Sequence, residues 1–251
     1  MSPEKKPSQS ATLITRAYAR TRRIAGRVLR ALPEPKSAFE VELARPWARP
    51  QDVRTILDAG ANDGIFATIA RRTYPSARIL SFEPLPRCLE ALRKRFENDA
   101  AFEAFGCALG DESGVAQFFE NEFSPSSSLL PMKDALVSAF PHAAKSHAME
   151  VPIRRLDDIV AERTLEDDIL LKMDVQGYEA HVIAGATKTL SRCRLVMTEV
   201  SLEPLYEGEA LAHGMVGLMS DRGFRLASVI ECLRDPSDER PLQMDMLFVR
   251  E

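Results

Sequence analysis

The feature that most constrains the fold is a regular alternation of short apolar strands and helical segments along most of the chain. The runs 55–57, 78–82 and 169–173 are apolar and short, as in buried strands, and a segment with helical spacing follows each of them. Short connections between alternating strands and helices favour a mostly parallel sheet covered on both faces. The runs 224–229 and 244–249, separated by a polar segment, predict a late hairpin. We therefore predict an α/β fold.

Acidic residues end five of the predicted strands, and they are Asp58, Glu83, Asp111, Asp174 and Glu199. In open α/β sheets, ligands bind beyond the carboxyl ends of the strands. An acid at the end of the second strand commonly accepts two hydrogen bonds from a ribose diol. Each acid alone is also compatible with a surface carboxylate or a turn. Acids on three consecutive strands together favour an adenosine-containing ligand.

The first predicted strand runs into the loop 58–64, Asp-Ala-Gly-Ala-Asn-Asp-Gly. Gly60 and Gly64 are four residues apart, which differs from the G-x-G-x-x-G spacing of dinucleotide-binding folds and argues against a nicotinamide-dependent oxidoreductase. Glycine lets the backbone approach a ligand closely, and Asn62 suits a ligand with an ammonium group and hydroxyls. A strand-to-helix turn capped by Asn or Asp is the alternative interpretation.

Four segments together resemble the FkbM-type S-adenosylmethionine-dependent methyltransferase family. They are 58–64, Phe82-Glu83-Pro84, 108–111, and 171–179 with the sequence Leu-Lys-Met-Asp-Val-Gln-Gly-Tyr-Glu. The likeness covers roughly residues 53–250. It implies a class I methyltransferase Rossmann-like fold, with a seven-stranded, mostly parallel sheet of order 3-2-1-4-5-7-6 and an antiparallel last strand. It also implies S-adenosyl-L-methionine as the cofactor and a hydroxyl on a small molecule, sugar, glycan, lipid or natural product as the methyl acceptor.

The same resemblance implies roles for individual residues. Glu83 would hold the ribose hydroxyls, Asp111 would face the adenine, and Asp174 would lie beside the sulfonium and the acceptor. Gln176 stands where the family often carries Glu, which removes a possible carboxylate from the acceptor side. The full set of implied cofactor-binding residues is Asp58, Gly60, Asn62, Gly64, Glu83, Pro84, Leu109, Asp111 and Asp174.

Three residues are candidates for taking the proton of an acceptor hydroxyl. Asp174 is the first because it ends a strand at the expected site, and Glu199, one strand further, is the second. His181, in the helix that follows, is the third, although a lone helical histidine more often packs or caps. Asp174 is equally compatible with a structural role in the turn after it. We expect no metal site, because His142 and His147 lack a fixed third ligand.

Residues 1–32 carry eight Lys and Arg residues against one Glu, a net charge of +7, which leaves −11 for the rest. Apolar spacing over 13–32 predicts a basic amphipathic helix that ends at Pro33. Docking on the domain or a homodimer, and contact with an anionic membrane surface, are the open alternatives. The acidic remainder disfavours nucleic acid as a partner. We therefore divide the chain into a leader and connector, 1–50, and a methyltransferase domain, 51–251.

Targeting signals are few in this sequence. No apolar run reaches the length of a bilayer-spanning helix, no secretory signal is present, and the four cysteines form no CxxC pair. We expect a cytoplasmic protein, with membrane association of the leader as the open alternative. The Ser/Pro-rich segment 121–150 is expected to cover the acceptor site. The alternative to an active enzyme is a cofactor-binding, non-catalytic scaffold of a membrane-associated assembly complex.

Overall fold

A computed structural model describes residues 36–47, 53–122 and 124–251 of the protein. The predicted leader helix over 13–32 lies outside the described residues, so the helix and its partners remain predictions. Residues Ser37–Glu251 form one compact unit. Part of the predicted connector contributes to this unit, because a short helix begins after Ser37 and buries Leu43 in the core.

The described elements follow the predicted alternation of strands and helices. In chain order they are α1 (Ala38–Leu43), β1 (Thr55–Ala59), α2 (Ile65–Thr73), β2 (Arg78–Phe82), α3 (Pro86–Arg95), β3 (Phe102–Phe105), β4 (Ala108–Leu109), β5 (Gly114–Asn121), α4 (Asp134–Ala139), β6 (Ser146–Arg154), α5 (Leu156–Ala161), β7 (Ile169–Met173), α6 (Glu179–Ala184), α7 (Thr187–Leu190), β8 (Cys193–Ser201), α8 (Ala212–Ser220), β9 (Phe224–Arg234) and β10 (Pro241–Arg250), with 3-10 turns at Ser124–Ser126 and Pro141–Ala143. None of the helices among these residues combines the length and apolarity needed to cross a bilayer.

Seven strands form the main sheet, in the order β3-β2-β1-β7-β8-β10-β9. Strand β10 is antiparallel to both β8 and β9, and the pairs from β3 to β8 are parallel. Counting only the strands of this sheet along the chain gives the order 3-2-1-4-5-7-6, so the predicted class I methyltransferase fold is confirmed. The strand order reverses between β1 and β7, where the carboxyl ends of the strands open a crevice.

The third predicted strand, 102–108, is divided between two sheets. Strand β3 ends at Phe105, and the chain bends at Gly106 so that Ala108 pairs with Ile153 of β6. Strands β4, β6 and β5 form a second, three-stranded sheet. This sheet carries the middle segment over the carboxyl edge of the main sheet. Sequence periodicity alone does not distinguish one bent strand from two short ones.

The core fixes the strand ends firmly. Strands β1 and β7 are buried at every position, as expected for central parallel strands covered on both faces. On one face, residues such as Leu57 and Leu171 pack with α5 to α8, and on the other, Ile56 and Leu170 pack with α1 and α2. The loops that follow β1 and β7 therefore begin from rigid positions.

Candidate active site

A first cavity, of about 190 Å³, opens at the carboxyl edge of the main sheet. Residues at the ends of β1, β2, β4, β7 and β8 line it, together with the segment after β5. Its polar lining residues include Asn62, Glu83, Ser124, Ser127, Asp174, Gln176 and Glu199, and its apolar ones include Leu85, Leu109, Phe118 and Leu129. The middle segment therefore covers this cavity and supplies part of its wall.

A second cavity, of about 700 Å³, adjoins the first and extends along α2. Ile65 and Phe66 line its apolar side, whereas Lys172 and Asp245 contribute charged groups. Asp174 lines both cavities, as do Gly60 and Asn62. The end of β7 therefore lies where the two cavities meet.

The glycine loop after β1 packs directly against the end of β7. Gly60 has a φ of +72°, and a Cβ atom there would lie 1.9 Å from the backbone oxygen of Asp174. Only glycine allows this approach. Gly64 has a φ of +87° and begins α2, with Leu92 of α3 against its Cα. Gly60 thus lines both cavities, whereas Gly64 lies behind them and fixes the packing of α2 on α3.

Asp58 lies beneath the loop and lines neither cavity. Its side chain is fully buried, and its register partners are Ser81 on β2 and Lys172 on β7. The Ser81 hydroxyl donates to Oδ2 at 3.2 Å, and Lys172 Nζ lies 3.3 Å from Oδ1. Lys172 also donates to the backbone oxygen of Gly60 at 2.9 Å and lies 3.6 Å from Asp174 Oδ2. Asp58 therefore affects the site indirectly, through Lys172, which lines the second cavity.

The electrostatics of this buried pair keep the lysine charged. Burial alone lowers the pKa of the Lys172 ammonium, but the carboxylates of Asp58 and Asp174 outweigh burial and raise that pKa above its ordinary value. Burial raises the pKa of Asp58, and Lys172 offsets part of that effect. A charged Lys172 therefore ties the glycine loop to the end of β7.

Glu83 is buried, with 5% of its surface exposed, and it lines the first cavity beside Pro84. Its Oε1 accepts the backbone N–H of Leu85 at 2.8 Å, and its Oε2 accepts that of Asn62 at 2.7 Å. Burial raises the pKa of Glu83 to about 7, and the two backbone hydrogen bonds limit the rise. Each oxygen keeps further acceptor capacity towards a diol.

The other residues predicted for the adenosine site are separated from one another. Leu109 lines the first cavity, but Asp111 is exposed and lines neither cavity. The Oδ1 atom of Asp111 lies 3.2 Å from Nδ1 of His181, whose ring stacks on Tyr178 with the ring centroids 4.1 Å apart. The structure thus pairs His181 with Asp111, and His181 lines neither of the two cavities.

The first cavity fits the adenosine part of the cofactor that the resemblance implies. Glu83 is a buried carboxylate with free acceptor capacity, and the apolar residues Leu109 and Phe118 line the same cavity. The carboxylates of Asp174 and Glu199, at the other end, suit a cationic group. Among the described residues, no three His, Cys, Asp or Glu side chains are grouped in a way that could hold a metal ion.

The amide of Gln176 lies between Asp174 and Glu199. Its Nε2 donates to Asp174 Oδ1 at 2.8 Å and to Glu199 Oε2 at 2.7 Å. Gln243 donates a second bond to Glu199 Oε2 at 3.0 Å. Burial raises the pKa of Glu199 well above its ordinary value, and the nearby Asp174 and Asp245 add to the rise. The Asp174 side chain is 41% exposed, so it is the acid of this pair that opens onto both cavities.

Sequence reasoning missed the residues that hold these acids. It noted Gln176 only as a position where a glutamate is absent. It assigned no role to Tyr206, to Gln243 or to Phe118, an apolar residue in the wall of the first cavity. These side chains come from elements far apart in the chain, and no local pattern connects them. The Asp58–Lys172 pair could have been predicted from the sequence, because the two residues lie in register on the parallel strands β1 and β7.

Residues 58–226 match the family described as "Methyltransferase FkbM domain". The 2-O-methyltransferase NoeI of Sinorhizobium fredii (strain NBRC 101917 / NGR234) is 34% identical over 195 residues, which cover 74% of this chain and 79% of that protein. Methyltransferase sdnD of Sordaria araneosa is 30% identical over 223 residues, 78% of this chain and 80% of that protein. The 31-O-demethyl-FK506 methyltransferase FkbM of Streptomyces tacrolimicus is 28% identical over 204 residues, 72% of this chain and 75% of that protein.

Proposed function

Because the chain belongs to the FkbM methyltransferase family, and is thus an S-adenosylmethionine-dependent methyltransferase, we propose that it methylates a hydroxyl oxygen of a small-molecule acceptor. Sugars, glycans, lipids and natural products are the acceptor classes that we propose. One relative is named as a 2-O-methyltransferase, and another is named as a methyltransferase of 31-O-demethyl-FK506. The observation that carries the proposal is the Asp174 carboxylate at the junction of the two cavities. Neither a non-catalytic scaffold nor an oxidoreductase has comparable support.

In this proposal the first cavity holds the cofactor. Glu83 binds the ribose hydroxyls, the part of the cavity lined by Leu109 and Phe118 takes the adenine, and Gly60 and Asn62 lie at the methionine end. When bound, the cofactor supplies an electrophilic methyl group on a cationic sulfonium. Pro84 forms part of the wall of the first cavity. Asp58 has an indirect role, because it pairs with Lys172, and Gly64 allows α2 to pack closely on α3. Asp111 contacts the adenine only if its carboxylate turns away from His181.

Asp174 is the proton acceptor in this proposal. An alcohol must lose its proton around the time of methyl transfer, and a carboxylate within hydrogen-bond reach can take it. Asp174 is partly exposed to both cavities, whereas the pKa of Glu199 is raised by burial and Glu199 is tied by two glutamine amides. His181 lies with Asp111 instead. The chain aligns the acceptor and receives its proton at Asp174 Oδ2 or Oδ1.

The second cavity supplies the acceptor site in this proposal. Ile65 and Phe66 form an apolar wall, whereas Asp245 and Asp174 offer hydrogen-bond acceptors to hydroxyl groups. Such a lining suits an acceptor that has both an apolar part and hydroxyls. Burial raises the pKa of Asp245 to about 7, and the nearby Asp174 adds to the rise.

The test uses the full chain, S-adenosylmethionine with a labelled methyl group, and pairs of acceptors that differ by one hydroxyl. We expect the label on a hydroxyl oxygen, located by mass spectrometry and NMR, and no transfer to the matching deoxy compound. Asp174→Asn should lower turnover by on the order of 100-fold or more. Cofactor affinity, measured by calorimetry, should fall by much less than turnover, because Glu199 still lines the same cavity.

Asp221→Asn, at the exposed end of α8, is the matched control for the loss of one carboxylate. Transfer of the label to nitrogen or carbon would contradict the proposed O-methylation. Near-normal turnover in a folded Asp174→Asn protein would instead move the proton-accepting role to Glu199.

A further inference from the structure

We propose that Gln176 is a positioning residue for methyl transfer: its side-chain amide joins Asp174 to Glu199 and sets the Asp174 carboxylate towards the cavities. The inference rests on the proposed function only for the role of Asp174 as proton acceptor. It goes beyond the resemblance, which marks this position merely as one where a glutamate is absent. The geometry that supports it involves four side chains: Asp174 and Gln176 in the loop after β7, Glu199 on β8, and Tyr206 in the loop after β8.

The two N–H groups of the Gln176 amide are both used, one on each acid. Nε2 lies 2.8 Å from Asp174 Oδ1 and 2.7 Å from Glu199 Oε2, which is within the usual range for N–H···O hydrogen bonds. Without a donor between them, two neighbouring carboxylates repel each other and either move apart or take up a proton. The bridge therefore allows both acids to stay close at neutral pH.

Tyr206 fixes which way the amide faces. Its hydroxyl donates to Gln176 Oε1 at 2.7 Å, and its side chain is fully buried. Burial raises the pKa of Tyr206 further above its ordinary value, so the hydroxyl stays protonated and donates. With its oxygen facing that donor, the amide can only present its N–H groups to Asp174 and Glu199.

The backbone of Gln176 is held as firmly as its side chain. Its φ is +55°, in the left-handed region that a residue with a Cβ rarely adopts. The Ser128 hydroxyl, from the segment after β5, donates to the Gln176 backbone oxygen at 2.7 Å. Unfavourable backbone conformations of this kind persist where the surrounding structure fixes them, often at functional sites. The conformation places the side chain between β7 and β8.

A glutamate at position 176 could not form the same bridge. It has no proton to donate when ionised and only one when neutral, whereas the amide donates two. It would also add a third carboxylate to a crowded group. The charged or titratable side chains around the pair are Lys172 on β7, Glu179 on α6, Asp245 on β10, Glu209 before α8, Tyr206 and Asp58.

The test compares the side-chain carboxyl carbon signals of Asp174 and Glu199 by carbon-13 NMR at one fixed pH, on the full chain without cofactor. Asp174→Asn and Glu199→Gln assign the two signals. In Gln176→Met, which keeps the length and removes the donors, both signals should change their chemical shift, because each carboxyl group loses a hydrogen bond. Tyr206→Phe should shift both signals in the same direction by less.

Gln243→Met is the matched control, since Gln243 donates to Glu199 and has no bond to Asp174. It should shift the Glu199 signal and leave that of Asp174 unchanged. Unchanged chemical shifts of both signals in a folded Gln176→Met protein would overturn the bridge. With an acceptor in hand, Gln176→Met should lower kcat at least tenfold with the KM for cofactor unchanged, and Gln176→Glu should move the acidic limb of the kcat profile to higher pH.

Wild-type kcat in Gln176→Met would overturn the positioning role even if the two NMR signals shift. Because the NMR comparison needs no acceptor, a failure to find O-methylation would contradict the proposed function while the NMR comparison still decides the bridge.

Discussion

The two halves of the site hold their acids in different ways. In the cofactor half, at the ends of β1 and β2, backbone amides hold the Glu83 carboxylate. The other half lies at the ends of β7 and β8, and we call it the acceptor half because its Asp174 also lines the second cavity. There the side chains of Gln176 and Gln243 donate to the acids Asp174 and Glu199, and Lys172 lies close to Asp174.

This difference bears on how each half tolerates substitution. Backbone amides exist at every residue except proline, so an acid held by them depends on loop shape and little on neighbouring side chains. An acid held by side chains depends on distant positions that each can change separately. The cofactor half is therefore suited to a constant ligand, whereas the acceptor half can be altered one residue at a time. Four predictions test this contrast, starting with the largest effect.

The two halves meet where Gly60 lies against the Asp174 backbone. Gly60→Ala should destabilise the protein by about 3 kcal/mol or more, because the added Cβ would lie 1.9 Å from the Asp174 oxygen and φ is +72°. Denaturant unfolding measures the change. Gly114→Ala is the matched control, since no atom lies within 4 Å of a Cβ there, and it should remain within about 0.5 kcal/mol of wild type. If the two variants were equally stable, the close packing of Gly60 on the Asp174 backbone, which joins the two halves, would be contradicted.

The cofactor half should show a pH dependence that comes from Glu83. Its pKa of about 7 means that it is largely protonated below pH 7, and ribose hydroxyls donate best to the ionised form. Cofactor affinity should therefore fall by roughly tenfold for each pH unit below 7 and level off above it. In Glu83→Gln, affinity at pH 8 should drop by about 1.5–3 kcal/mol and the pH dependence should disappear. Calorimetry that finds the same slope in both proteins would remove Glu83 from the ribose site.

Glu179, a buried acid next to the acceptor half, is also held by a backbone N–H group, and it should make the free energy of unfolding depend on pH. Glu179 is buried, accepts the Val175 N–H at 2.9 Å, and has a pKa that burial raises from 4.5 to about 7. Between these values the folded protein holds a proton that the unfolded chain releases, so the free energy of unfolding falls as pH rises. Glu179→Gln should reduce this slope by up to about 1.4 kcal/mol per pH unit. Exposed Glu207→Gln is the control, and an unchanged slope would contradict the assignment.

The smallest effect is expected from the pair outside both cavities. His181→Gln should change cofactor affinity by less than about 1 kcal/mol, because His181 and Asp111 form a half-exposed pair 3.2 Å apart. Turnover should stay near that of wild type. A loss of turnover as large as that of Asp174→Asn would restore His181 as the base and contradict the proposed geometry of the acceptor half.

Local sequence determined the fold and the list of acids at the strand ends. Alternating strands and helices, with glycine where β1 turns towards β7, specify a parallel sheet, and the carboxyl ends of such strands must lie on one edge. Glu83 and Asp174 follow from that rule because each directly follows a buried strand. The leader remains a prediction from charge and spacing.

Tertiary structure alone decided which of these acids share a site and what holds them. Asp58 lies beneath its loop because register sets it opposite Lys172, and Asp111 meets His181 because the chain leaves the main sheet after β3. The Gln176 bridge needs Tyr206, thirty residues later in the chain. Hydrogen bonds between side chains so far apart depend on how helices and strands pack, and no local periodicity carries that information.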